Sequence, residues 1–377
     1  MPGTTEPYLS RYLHHKAGQK GIPVMGNFEL TPRCNFRCRM CYVHLTEEEA
    51  RKRGSELSTE EWMEIAEEAK AQGMMFLLLT GGEPLLRHDF IPLYTALKKM
   101  GFLISINSNG SLVDGEALDC LRENPPYRMN ITLYGGSNES YERLCGVPSF
   151  DRVIHNVDAL CEAGIMVRLN ASLTPYNRGE LEKIYQIAEE KKLQIRATAY
   201  MNPPIRVNDQ MAGTQSNRFS PEDAAKCTVK IDRLRYTQEN FCRRAEGLLQ
   251  GILPPTDEDC EGISGTKMRC RAGKSSFWMT WNGMMLPCGM LTTPAVDVRK
   301  VGFTAAWQNV RELTDEIRLP AECTICPHRK ICSVCAAMCQ SETGFFEKRP
   351  EYICRMTQAL LYEMQREYEK IVGGISE

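Results

Sequence analysis

Cys34-x3-Cys38-x2-Cys41 sets three thiols close enough in sequence to hold one metal centre. They follow an apolar run, Phe28–Thr31, and so fall in the loop at the end of a strand. Three thiolates on one loop suit a metal that keeps an open position. A structural zinc ion wants four closed ligands, and no histidine completes a familiar finger spacing, although His44 is nearby. A [4Fe–4S] cube held by three cysteines leaves one iron free for an outside ligand. A zinc knuckle is the alternative at this point.

The chain of 377 residues carries 17 cysteines, an odd number that rules out complete internal pairing. Nine of them run from Cys260 to Cys354: Cys260 itself, then Cys270-x12-Gly283-x4-Cys288, then Cys323-x2-Cys326-x5-Cys332-x2-Cys335-x3-Cys339, then Cys354. The CxxC pairs there are too close for a zinc ribbon, whose pairs lie roughly 15–20 residues apart. Cys120, Cys145, Cys161, Cys227 and Cys242 are scattered and read as small buried hydrophobes. No apolar h-region opens the chain, and the run Met74–Leu79 is too short to span a bilayer. A cytoplasmic location with reduced, metal-bearing thiols is expected. Net charge is −2 and the pI about 6.4. Neither nucleic acid nor a membrane is therefore expected as a partner.

Apolar, β-prone runs at Phe28–Thr31, Met75–Thr80, Leu103–Asn107, Met129–Tyr134, Val167–Leu173 and Gln194–Tyr200 alternate with amphipathic helical patterns. Ser58-Thr59-Glu60-Glu61 opens one helix, which Gly73 ends. Others are expected over Phe90–Met100, Asp114–Arg122, Asn138–Cys145, Phe150–Ala163 and Gly179–Lys192. Six such repeats imply an α/β fold with a parallel sheet, a closed or partial barrel with its site at the C-terminal strand ends. The alternation stops after Tyr200; Pro221–Gln250 looks helical, and the chain from Met356 reads as one helix.

Cys34-Asn35-Phe36-Arg37-Cys38-Arg39-Met40-Cys41 resembles the CxxxCxφC signature of radical S-adenosylmethionine (SAM) enzymes. Thr80-Gly81-Gly82-Glu83-Pro84, after the second strand, is similar to the GGEP motif of that family. The resemblance implies a SAM-binding [4Fe–4S] cluster on the three cysteines, with Met40 at the φ position near adenine and Tyr42 beside it. Gly81, Gly82 and Pro84 would let backbone oxygens reach the SAM ammonium, and Glu83 would add a carboxylate. Ser108 and Asn109, ending the third strand, and Thr132, ending the fourth, look like ribose and carboxylate contacts. Tyr134 stands where many relatives carry an acid. Arg168, Asn170 and Asn177 are further candidates for the SAM carboxylate or ribose, and Tyr200 for adenine.

The C-terminal pattern resembles a SPASM domain, differing in one spacing, Cys332-x2-Cys335. The resemblance assigns Cys270, Cys288 and Cys335, with Cys260 as candidate fourth ligand, to a first auxiliary cluster. It assigns Cys323, Cys326, Cys332 and Cys354 to a second, with Cys339 left over. The implied architecture is a partial (β/α)6 TIM-like barrel with a small C-terminal Cys-rich iron–sulfur domain. Its expected parts are an N-terminal extension (1–25), the barrel (26–220), a helical bridge (221–259), the SPASM module (260–355) and a C-terminal helix (356–377).

What this implies is modification of a ribosomally made precursor peptide by 5′-deoxyadenosyl-radical hydrogen abstraction, with oxidative thioether or C–C crosslinking as the outcome. Only about 25 residues precede the first strand. The leader is therefore expected to be bound by a separate protein or by the barrel rim, with flavodoxin or ferredoxin as reductant. Other readings are formylglycine formation on a sulfatase, peptide epimerisation, a small-molecule radical dehydrogenase and a non-SAM iron–sulfur redox protein. No general base is assigned; Glu142, Tyr134 and His88 are only polar residues near strand ends.

Overall fold

A computed structural model describes residues 8–43, 45–203, 217–251, 266–268 and 270–373. The expected alternation is present. Strands β1 (Met25–Glu29), β2 (Phe76–Thr80), β3 (Leu103–Ser108), β4 (Arg128–Thr132), β5 (Val167–Ser172) and β6 (Gln194–Thr198) are all parallel. Ahead of and between them run α1 (Tyr8–Lys20), α2 (Glu47–Lys52), α3 (Thr59–Ala71), α4 (Phe90–Lys99), α5 (Gly115–Glu123), α6 (Asn138–Cys145), α7 (Phe150–Glu162) and α8 (Leu181–Glu190). Ser58 caps α3 with a reciprocal pair of bonds to Glu61.

The sheet does not close. Its order is β6-β5-β4-β3-β2-β1-β7-β8-β9, where β7 (Ser276–Met279), β8 (Met284–Leu286) and β9 (Val296–Asp297) extend it beyond β1. β7 pairs parallel with β1, and β8 and β9 follow antiparallel. The segment between Cys270 and Cys288, expected inside a separate Cys-rich unit, is thus continuous with the barrel sheet. The helix α1 binds the same region: His14 Nδ1 lies 3.0 Å from Ser275 Oγ, and Trp307 Nε1 donates to Gly21 O at 2.7 Å.

Side chains alternate across each strand. Ile104, Ile106, Met129, Ile131, Val167, Leu169 and Ala171 are buried in the core with the helices. Their neighbours Ser105, Asn107, Asn130, Thr132, Arg168 and Asn170 therefore face the concave side; Asn130 Nδ2 reaches Asn107 Oδ1 across it at 2.8 Å. A concave face this polar is built to receive something rather than to pack, unlike the branched apolar filling of a closed barrel.

The C-terminal half supplies α9 (Pro221–Arg235), α10 (Gln238–Leu249), α11 (Val298–Val301), α12 (Phe303–Asp315), α13 (Ala336–Thr343) and α14 (Glu351–Val372). The expected helix over 221–250 is interrupted at Tyr236-Thr237, where Thr237 caps α10. The last helix begins at Glu351, directly after Pro350, and so carries Cys354 in its first turn. It packs along α9. No helix among the described residues is long and apolar enough to cross a membrane.

Candidate active site

The three-cysteine loop leaves β1 and is pinned on both sides. On one side, Gly82 N donates to Thr31 O at 2.7 Å and Glu83 N to Arg33 O at 2.9 Å. The backbones are so close that a Cβ on Gly82 would sit 2.1 Å from Arg33 O. Gly81, at φ +148°, is equally tight, with Thr31 O 2.6 Å from an added Cβ. The glycines of the GGEP stretch are thus required by the Cys loop itself. On the other side, Arg37 N and Arg39 N donate to the carbonyls of Cys145 and Leu144 at the end of α6. The buried Phe36 ring meets Tyr141 edge-on.

This clamp leaves the thiols of Cys38 and Cys41 as electrostatic neighbours of Cys34. Burial above all pushes the Cys34 thiol up to about 12. Cys38 is raised first by its hydrogen bond with the Cys145 thiol, then by burial. A free thiol in this setting stays protonated; a bound cation reverses that preference, because the thiolate is the ligand. Among the described residues no three Cys, His, Asp or Glu side chains converge as one ion requires. The donor set is three soft thiols on neighbouring turns of one loop, which fits a cubane cluster with one open iron. His44 lies outside the described residues. Cys145, read from sequence as a core filler, is buried as expected, but it lies against Cys38, and the hydroxyl of half-buried Tyr134 reaches the same thiol.

Glu83 lies under this loop, fully buried. Its carboxylate accepts from Ser108 Oγ at 2.9 Å, Asn109 N at 2.7 Å and Leu85 N at 3.2 Å. Burial outweighs these bonds and raises its carboxyl to about 7. Glu83 therefore ties the ends of β2 and β3 together, and three of its roughly four acceptor positions are used internally. Asn109 Nδ2 donates to Asn35 Oδ1 at 2.8 Å and approaches Cys34 Sγ at 3.8 Å. Ser108 and Asn109 thus support the Cys loop. Pro84 is buried at the start of the short 3-10 turn Pro84–Leu86.

The other strand-end candidates separate. Thr132 is level with Asn170 in the ladder, at the rim, whereas Arg168 is level with Asn130, one layer deeper. Met40 is buried in the core, and Tyr42 is half-buried on the loop. Asn177 is consumed structurally, donating to Tyr134 O and Ser172 O while accepting from Thr174. Tyr200 turns away from the strand ends: its hydroxyl donates to Glu342 on α13 at 3.1 Å, and its ring packs on Tyr352.

The C-terminal cysteines form two neighbourhoods. Cys335, half-buried and with its thiol pushed up to about 12 chiefly by desolvation, has Cys270 and Cys288 as charge neighbours. Cys323 has Cys332 and Cys326, and Cys354 has Cys332 and Cys323. Cys339 lies between the two, next to Cys335, Cys323 and Cys332. Cys260 lies outside the described residues. All described cysteines are free thiols; of the scattered ones, Cys161 is exposed at the end of α7, contrary to its expected burial.

Comparison with known proteins agrees with this geometry. Residues 28–188 match the family described as the radical SAM superfamily. An AdoMet-dependent heme synthase of Methanosarcina barkeri is 26% identical over 344 residues, covering 87% of this chain and 95% of that one. Among solved structures, Streptococcus suis SuiB bound to precursor peptide SuiA aligns with a TM-score of 0.66 at 18% identity, over 91% of this chain and 79% of that chain. The protein anSMEcpe with bound AdoMet and the Kp18Cys peptide aligns with a TM-score of 0.67 at 17% identity, over 93% of this chain and 99% of that chain. These likenesses establish a fold shared over most of the chain. The clamped Cys34-x3-Cys38-x2-Cys41 loop at the rim of the open parallel barrel falls inside residues 28–188, the stretch that gives this chain a radical SAM domain.

Proposed function

We propose that this enzyme modifies a ribosomally synthesised peptide by radical hydrogen abstraction, with oxidative thioether or C–C crosslinking as the outcome. The family implies SAM and a [4Fe–4S] cluster. Cys34, Cys38 and Cys41 are its ligands in this reading. Loaded with both, the site supplies a 5′-deoxyadenosyl radical able to take one hydrogen atom from a bound substrate. The chain's own contribution is positional. The glycine pair and Glu83 hold the loop, Phe36 and Tyr141 close its outer side, and Met40, Tyr42, Thr132 and Asn170 are assigned to SAM in this reading. Cys270, Cys288, Cys335 and Cys260 are assigned to a first auxiliary cluster, and Cys323, Cys326, Cys332 and Cys354 to a second. Crosslinking removes two electrons from the substrate, which such a set suits.

The observation that carries a peptide is the open side of the barrel. The sheet ends at β6, and its concave-side residues Gln194, Arg196 and Thr198 are exposed. An extended chain can lie along an edge of this kind and present one residue to the rim. Two solved structures of the same fold, each bound to a peptide, support the same reading. A precursor peptide, a separate leader-binding protein and a flavodoxin or ferredoxin reductant, all in the cytoplasm, are the partners it requires.

A second reading is favoured by sequence: the heme synthase relative matches this chain at higher identity than either peptide-bound structure does. It makes the substrate a small molecule of that type. Anaerobic reconstitution, a dithionite-driven assay for 5′-deoxyadenosine, and mass spectrometry of a genomically neighbouring Cys-rich peptide test the proposal. A peptide lighter by two hydrogens supports it. Deoxyadenosine formed with a tetrapyrrole while the peptide stays unchanged rejects it for the second reading.

A further inference from the structure

The concave face carries a second feature that runs inward from the rim. Arg128, Arg168 and Arg196 come from three neighbouring strands, β4, β5 and β6. Register fixes their relation: Asn130 is opposite Arg168, which is opposite Gln194. Arg128 precedes Asn130 by two residues and Arg196 follows Gln194 by two, so the three project from the same face along one diagonal. Each strand's intervening residues, Met129, Leu169, Ile195 and Ala197, pack with the apolar core.

Among the described residues no carboxylate pairs with any of the three. The Nε atoms of Arg128 and Arg168 are buried without any hydrogen-bond partner. Arg168 is lowered to about 10, first by burial and then by the charges of Arg128 and Arg196. Like charges set side by side and partly out of water are costly unless something neutralises them. Guanidinium groups are the preferred partners of carboxylate and phosphate, which they bind in two-pronged fashion.

We propose that Arg128, Arg168 and Arg196 form an anion site on the barrel's concave wall, which holds a carboxylate or phosphate group of the substrate. Arg168 lies one two-residue layer, about 7 Å, below the rim level of Thr132 and Asn170, Arg128 lies a layer deeper still, and Arg196 is level with Asn170 at the rim. The site therefore runs inward from the rim, and its deeper arginines anchor the substrate end remote from the reacting carbon. It rests on the substrate lying in the barrel interior. Its test reads binding rather than turnover, so it can fail while the radical reading stands.

The anaerobic holoenzyme is titrated with tricarballylate, with inorganic phosphate and with a glutamate-rich decapeptide, and separately with SAM. The variants are Arg168→Gln, Arg168→Lys and Arg196→Gln; Arg196 is exposed, so its replacement leaves folding intact. At least one probe is expected to bind, and each Gln variant to weaken it about tenfold, as loss of a charged hydrogen bond does. The Lys variant recovers part of that loss, and SAM affinity is unchanged throughout. Preference for the decapeptide identifies an acidic peptide as the source of the anion, preference for tricarballylate a small polycarboxylate, and preference for phosphate a phosphorylated substrate. The proposal is overturned if no probe binds, if binding ignores Arg196→Gln, or if SAM affinity falls in parallel, since the arginines then hold SAM's own carboxylate.

Discussion

Arg218 and Glu342 form a two-pronged ion pair, at 2.5 and 2.9 Å, with side chains only 6% and 5% exposed. It joins the segment entering α9 to α13, and Tyr200 and Tyr352 close over it. The pair thus couples the end of β6 to the helix that follows Cys335 directly. Breaking such a pair from one side leaves a buried charge and costs about 3–5 kcal/mol. Glu342→Ala is expected to lower stability by that order in anaerobic denaturant unfolding. The double variant Arg218→Met, Glu342→Leu is expected to recover most of it, because an apolar pair leaves no unpaired charge. Equal loss in the single and double variants would contradict this account.

Gly82 offers a second test. A methyl group there meets the Arg33 carbonyl at 2.1 Å, and neither backbone has room to move without shifting Cys34. Gly82→Ala is expected to cost about 1–3 kcal/mol through overpacking. Iron bound at the first cluster should fall, while the C-terminal iron remains. Gly179→Ala, where nothing lies within 4 Å, is the control and should stay within about 0.5 kcal/mol of the parent. Iron counting and unfolding of both variants decide the matter.

The Cys34–Cys41 loop, the GGEP turn and the six βα repeats were legible because each is encoded within a few residues. What was not legible depends on partners far apart in the chain. Glu83 is fixed by Ser108 and Asn109, and Arg218 by Glu342 across 124 positions. No local pattern announces such a meeting, so Tyr200 read as an adenine contact when it packs against α13. Cys145 read as a core residue because its burial is real; its contact with Cys38 arises only when α6 docks on the loop. The attachment of β7 to β1 was not legible, since a parallel pairing across some 250 residues leaves no trace in spacing.

Glu83 also predicts a pH dependence. Its carboxyl is raised from 4.5 to about 7 in the fold, so the folded state keeps a proton that the unfolded chain releases. The sign follows from linkage: the stability this group allows is complete below pH 4.5 and is lost as pH rises through about 7. At about 1.4 kcal/mol per pH unit the effect is at most roughly 3 kcal/mol. Glu83→Gln, a permanently neutral side chain, is expected to flatten the decline between pH 5 and 7. If wild type and variant fall in parallel over that window, Glu83 is not the titrating group.

The three thiol groups should load independently. In the proposed reading three cubanes per chain correspond to about twelve irons, four from each. Replacing Cys34, Cys38 and Cys41 by Ala together is expected to remove about four irons and all SAM cleavage, leaving about eight. The reasoning is structural: the first loop is anchored on β2 and α6, whereas Cys270, Cys288 and Cys335, and separately Cys323, Cys332 and Cys354, are neighbours of one another in the C-terminal half. Replacing Cys323 and Cys354 should do the reverse, lowering iron while SAM is still cleaved to 5′-deoxyadenosine. Cys339→Ala decides whether the leftover thiol is a ligand: unchanged iron assigns it to packing, and loss of iron to one of the clusters it separates. Iron and sulfide counting with electron paramagnetic resonance of the reduced proteins distinguishes these outcomes. Loss of all iron from the first triple variant would mean that the barrel and the C-terminal module assemble as one unit.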